Sequence, residues 1–92
     1  MRYIKDIAKF VDSKTVFCGI DMHVKHWNLS FLCDGEVVEE LRISGDLIML
    51  LFVLKNYSTA RQVRIVYEAG FSGFWAYRQL RARGYDCMVT AP

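Results

Sequence analysis

The rhythm of apolar and polar positions changes several times along this chain, and each change marks an element. TVFCGIDM, residues 15–22, is mostly apolar and reads as a strand. HWNLSFLC, residues 26–33, sets Trp27, Leu29, Phe31 and Cys33 against Asn28 and Ser30, the alternation of a strand with one buried face. Asp34-Gly35 is a two-residue hairpin signal, and EVVEELRI after it mixes β-branched residues with charges as an edge or half-exposed strand does. Ser44 is then placed to cap a helix over residues 44–57, with Asp46 in its first turn, where the helix dipole favours an acid. Leu47, Leu50, Leu51 and Leu54 share one face of that helix, while Ile48, Met49, Phe52 and Val53 cover most of the rest. A helix apolar nearly all round is expected to be buried on more than one side. QVRIVYE, residues 62–68, is a short strand of the buried type that follows a helix and so can return parallel to the first strand. A second helix is predicted from about Ser72 to about Arg83, ending at Gly84, with YDCMVT as a fifth strand before Pro92.

The order strand, strand, strand, helix, strand, helix, strand predicts an α/β domain with a mixed sheet. A three-stranded antiparallel meander followed by parallel strands on crossover helices is the ribonuclease H-like arrangement, with right-handed crossovers bringing the fourth and fifth strands beside the first. Residues 1–14 form an arm or a short helix, and residues 15–92 form the domain. Ninety-two residues allow one folding unit, near the size at which a single core suffices without disulfide or metal staples.

Composition narrows the class. An apolar fraction of 53% and an aromatic fraction of 14% argue against disorder and suggest that some apolar surface belongs against something else. The net charge of +2 is far below the basic balance of a dedicated nucleic-acid-binding module. Cys18, Cys33 and Cys87 are an odd number without C-x-x-C spacing, which favours reduced, buried thiols in a cytosolic, cytoplasmic protein over disulfides or zinc. The longest apolar run, LIMLLFVL, is less than half of the ~20 residues that span a bilayer, so no membrane anchoring is expected.

The candidate chemistry lies in two acids. With the first and fourth strands as parallel neighbours, Asp21 near the end of one and Glu68 at the end of the other meet at one edge of the sheet. Strands ~4.8 Å apart let two such side chains converge on one cation, and Mg²⁺ prefers hard oxygen ligands. The plainer alternative has Asp21 opening a turn and Glu68 meeting the start of the next helix.

GIDMHVKHW and YEAGFSGFWAYRQLRARGYDCMVTAP together resemble the N-terminal part of the DEDD-type transposases of the insertion-sequence one-ten family. These pair a G-[IV]-D strand with an E-[AT]-x-x-x-[GY] turn and a strand ending in V-x-x-P. The resemblance covers residues 16–92 and implies a RuvC-like fold in which four acids bind Mg²⁺ to cut and join DNA, with a guide RNA as a further partner. It makes Asp21 the first acid and Glu68 the second. The other two acids, and a later domain with a serine nucleophile, lie beyond the V-x-x-P strand in that family. The expectation is therefore an incomplete catalytic domain, inactive alone.

Other residues carry weaker signals. Asp21, His23 and His26 are not expected to share a side at their spacing, although Lys25 and His26 near Asp21 could touch a phosphate. Arg78, Arg81 and Arg83 with Trp75 and Tyr77 suggest a nucleic-acid contact, with Arg78 its candidate residue; alternatively Phe74 and Tyr77 pack on the sheet while the arginines favour the helix end. The Gly70 and Gly73 pair lacks the spacing of a phosphate loop. Two rival readings are an actin-like ATPase or sugar kinase, whose phosphate loop is replaced here by MHVKHW, and a non-catalytic interaction module using the apolar helix. That helix also predicts a homo-oligomer with Met49, Phe52 or Val53 near its contact.

Overall fold

The computed structural model describes residues 4–70 and 73–90. In chain order these form α1 (Ile7–Phe10), β1 (Thr15–Met22), β2 (His26–Cys33), β3 (Glu36–Ser44), α2 (Leu47–Leu54), a 3-10 turn (Lys55–Tyr57), β4 (Gln62–Glu68), α3 (Trp75–Ala82) and β5 (Asp86–Thr90). The fold is α/β, with one mixed sheet of five strands in the order β3-β2-β1-β4-β5. β1, β2 and β3 form an antiparallel meander, while β4 lies parallel to β1 and β5 parallel to β4. Both helical crossovers travel the same way across the sheet, from β3 to β4 and from β4 to β5. Crossovers of one hand then place their helices on the same face.

The alternation in each strand records that choice. Val16, Cys18 and Ile20 of β1, Trp27, Leu29, Phe31 and Cys33 of β2, Ile65 and Tyr67 of β4 and Cys87 of β5 all face the helical layer and are buried. Val11, just after α1, joins the same core, so the N-terminal segment packs on the domain. The Phe31 and Tyr57 rings stack at 4.1 Å, and the Tyr57 hydroxyl donates to Glu39 Oε1 at 2.9 Å. The three thiols are free and buried, and burial pushes Cys18 up to about 12 and Cys87 up to about 11.

The turns obey local chemistry. Asp34 and Gly35 both take positive φ, the conformation that a two-residue loop between twisted strands needs. Gly45 sits in a tight place: a Cβ there would lie 3.1 Å from the Val24 carbonyl oxygen and 3.2 Å from Trp27 Nε1, closer than ordinary van der Waals contact.

Both predicted helices are corrected in their details. Ser44 does not cap α2; it is still paired with His26 in the sheet, and Asp46, in extended conformation, accepts the Met49 amide at 2.8 Å instead. Nor is α2 buried on more than one side. It buries Leu47, Leu50, Val53 and Leu54, while Ile48 and Phe52 are 78% and 65% exposed. Val53 therefore belongs to the core and is not available for an intermolecular contact. The described helix α3 begins at Trp75; the Ser72 start and the approach to Pro92 lie outside the described residues. Ala76 and Leu80 are its buried residues and Tyr77 packs against the core partly buried, but Phe74 is exposed. Gly84, with φ +87°, follows the end of the helix as expected.

α3 has no side-chain cap from its own N-terminal residue, Phe74. The Tyr67 hydroxyl takes that place: it accepts the Tyr77 amide at 2.9 Å and donates to the Gly73 carbonyl at 2.9 Å. One strand residue thus satisfies an amide that the first helical turn leaves without a partner. Tyr67→Phe is expected to lower stability by about 1–2 kcal/mol, the usual cost of a lost cap or a stranded buried partner. Its sign in native-state hydrogen exchange is faster exchange of the Tyr77 amide; unchanged exchange there would contradict the capping role.

Candidate functional site

Because the helices share one side, the opposite face of the sheet carries no helix among the described residues. A concavity of about 810 Å³ lies on it. The register builds its floor strand by strand. β1 pairs Ile20 with Tyr67 of β4, so the next step along both strands sets Asp21 beside Glu68. Glu68 is in turn paired with Thr90, Asp21 with Asn28, and Asn28 with Arg42. The result is one row across the sheet, Arg42, Asn28, Asp21, Glu68 and Thr90, with one residue from each strand. All five line the concavity, and Arg42 Nε donates to Asn28 Oδ1 at 3.1 Å.

The two candidate acids are thus neighbours, as their positions on parallel strands predict. Asp21 lies within β1, and Glu68 is followed by residues 69–70 and 73–74 before α3 begins. Asn28, Arg42 and Thr90 were not anticipated. Strand alternation carries them onto this face, but only the pairing register, which no single strand contains, aligns them with the acids.

The turn after β1 adds a correction. Asp21, His23 and His26 were not expected to share a side, yet His23 Nε2 and Asp21 Oδ2 are 3.0 Å apart and the two imidazole centroids lie 4.8 Å apart. Alternation along one strand would set His26 opposite Asp21 and His23, but residues 23–25 form a hairpin loop, and β2 brings His26 back onto the Asp21 face, two residues from the Asn28 that pairs with Asp21. The loop is closed by the His23 amide donating to the His26 carbonyl at 2.9 Å, and the Gly45 amide donates to the Lys25 carbonyl at 3.1 Å. Burial, with the nearby charge of Arg42 adding to it, lowers the pKa of His26. Lys25 is exposed at the same end of the sheet as Asp21.

Arg78 is not brought into the row: it is exposed on α3, which packs on the covered face. Arg81 approaches Asp86 at 3.5 Å, where Arg64 also pairs at 2.9 Å, and Arg83 bonds Gln79.

The acid pair and its neighbours Asn28 and Thr90 supply hard oxygen donors, the kind Mg²⁺ takes. Two carboxylates also match the one or two that Mg²⁺ commonly accepts alongside water and phosphate. Among the described residues no group of three or more His, Cys, Asp or Glu side chains is arranged to hold a metal ion. Nor is any helix among them long and apolar enough to cross a membrane.

The chain is similar to a transposase for insertion sequence element IS1533 of Leptospira borgpetersenii, at 27% identity over 82 residues. The match covers 86% of this chain and 24% of that protein, so the chain spans about a quarter of the relative's length. No family model and no solved structure matches.

Two adjacent carboxylates repel one another when no cation lies between them. Asp21→Asn and Glu68→Gln are each expected to leave the melting temperature unchanged or raise it in metal-free buffer at neutral pH. A clear fall in both variants would mean that each acid holds the fold together, and would remove the physical basis for treating them as a site.

Proposed function

We propose that this chain is the N-terminal part of a ribonuclease H-like, RuvC-like catalytic domain of a DEDD-type transposase, in which Asp21 and Glu68 are two of four Mg²⁺-binding acids. The observation that carries the reading is the row on the open face, where the two acids stand side by side on parallel central strands. The similarity to an insertion-sequence transposase supports it from the sequence side. The strand order, with its meander and two parallel additions, is the arrangement expected of that fold.

In this reading Asp21 and Glu68 supply the anionic oxygens. Asn28 and Thr90 flank them with neutral polar groups, and Arg42 supplies positive charge at the end of the row for a DNA phosphate. Lys25 and His26 stand at the same end of the sheet, where they would meet the nucleic-acid backbone. A bound Mg²⁺ would polarise a phosphodiester and activate the attacking oxygen. DNA is the substrate and a guide RNA the further partner that the family resemblance implies. The residues after Asp21 disfavour the sugar-kinase alternative: the hairpin loop of His23, Val24 and Lys25 has none of the small glycine and threonine residues with which a chain hugs a phosphate, and the buried Trp27 follows it.

The test is a Mg²⁺ titration followed through the backbone amides. Changes are expected at the ends of β1 and β4, and they should vanish in Asp21→Asn. Changes scattered over the surface, or unaltered in that variant, would overturn the assignment. With two of the four acids, the chain alone is expected not to cut or join DNA in Mg²⁺ or Mn²⁺. Metal-dependent cutting that is lost in Asp21→Asn would show instead that it carries a complete site.

A further inference from the structure

We propose that His23 is a positioning residue for Asp21, holding one carboxylate oxygen so that the other faces the cation shared with Glu68. The proposal rests on the reading of Asp21 and Glu68 as metal-binding acids and adds a residue that this reading does not contain.

Its basis is a chain of contacts at the β1–β2 hairpin. The Asp21 side chain is 70% exposed, and an exposed Asp on a strand has several open rotamers. His23 Nε2, 3.0 Å from Oδ2, selects one of them. No other hydrogen bond to the Asp21 side chain is made by a described residue, so Oδ1 is left for a ligand. His23 is itself held. Its amide closes the loop on the His26 carbonyl, its ring leans on the His26 ring, and His26 is fixed by its pairing with Ser44. The Gly45 amide ties the loop to the end of β3 through the Lys25 carbonyl.

An imidazole suits this role better than that of a Mg²⁺ ligand, since Mg²⁺ selects oxygen. Hydrogen-bond partners that orient a ligating group ordinarily contribute about 10–100-fold in metal affinity. A half-exposed histidine is expected at the lower end of that range.

The test measures Mn²⁺ binding to the 92-residue chain by water-proton relaxation and the histidine tautomers by side-chain ¹H–¹⁵N correlation. His23→Ala is expected to weaken Mn²⁺ binding about tenfold. His23→Gln, which places an amide N–H near the position of the imidazole one, should recover most of the loss. In the metal-free parent the neutral His23 proton should reside on Nε2. Loss of binding in Asp21→Asn and Glu68→Gln but not in His23→Ala would overturn the role of His23 and leave the acids standing. Tighter binding in His23→Ala would also overturn it, because His23 would then shield the carboxylate. A neutral His23 proton on Nδ1 would do the same. Mn²⁺ binding that survives Asp21→Asn, or no saturable binding by the parent, would overturn the underlying reading of the acids and the proposal with it.

Discussion

The parallel pairing of β1 with β4 is the constraint on which the rest depends. A parallel neighbour cannot be reached by a tight turn, so the chain must leave β3, cross a face of the sheet and come back. That crossing makes α2 and the stacked Tyr57 the cover of the core, and the second crossing puts α3 beside them. The same pairing places the ends of β1 and β4 together, which sets Asp21 beside Glu68. Covering one face and assembling a polar row on the other are therefore two results of a single topological choice.

The two faces of the sheet differ in chemistry accordingly. The covered face is mostly apolar, and its two buried tyrosine hydroxyls have partners, Glu39 for Tyr57 and the start of α3 for Tyr67. The open face carries charge and amide groups in register together with exposed apolar residues such as Phe17, Val66 and Met88. Two adjacent acids would be costly in a sealed core, but on an open face water screens them. The candidate site thus lies where the fold can carry it without burying charge.

Much of this was legible in the chain. Five strands and two main helices follow from apolar periodicity, and the placement of Asp21 and Glu68 follows from strand order. What escaped was information carried by partners rather than by neighbours in sequence. Ser44 has the chemistry of a cap, but its pairing with His26 keeps it in the sheet, and Asp46 two residues later makes the cap. The apolar circumference of α2 gives no sign of which side meets the sheet. Asn28, Arg42 and Thr90 are unremarkable within their own strands and acquire meaning only through the register that aligns them with the acids. The meeting of Asp21, His23 and His26 likewise depends on the β1–β2 hairpin, which returns His26 to the Asp21 face, and not on spacing within one strand.

The dual bond of the Tyr67 hydroxyl also ties the start of α3 to β4. α2 carries its own start signal, since Asp46, the residue just before it, accepts the Met49 amide. α3 does not: with eight residues it is too short to persist alone, and its first turn is completed by a hydroxyl ten residues back on β4. The start of α3 is therefore held only while Tyr67 is held against it. Loosening of β4 would release the first turn of α3, whereas the first turn of α2 keeps its own cap.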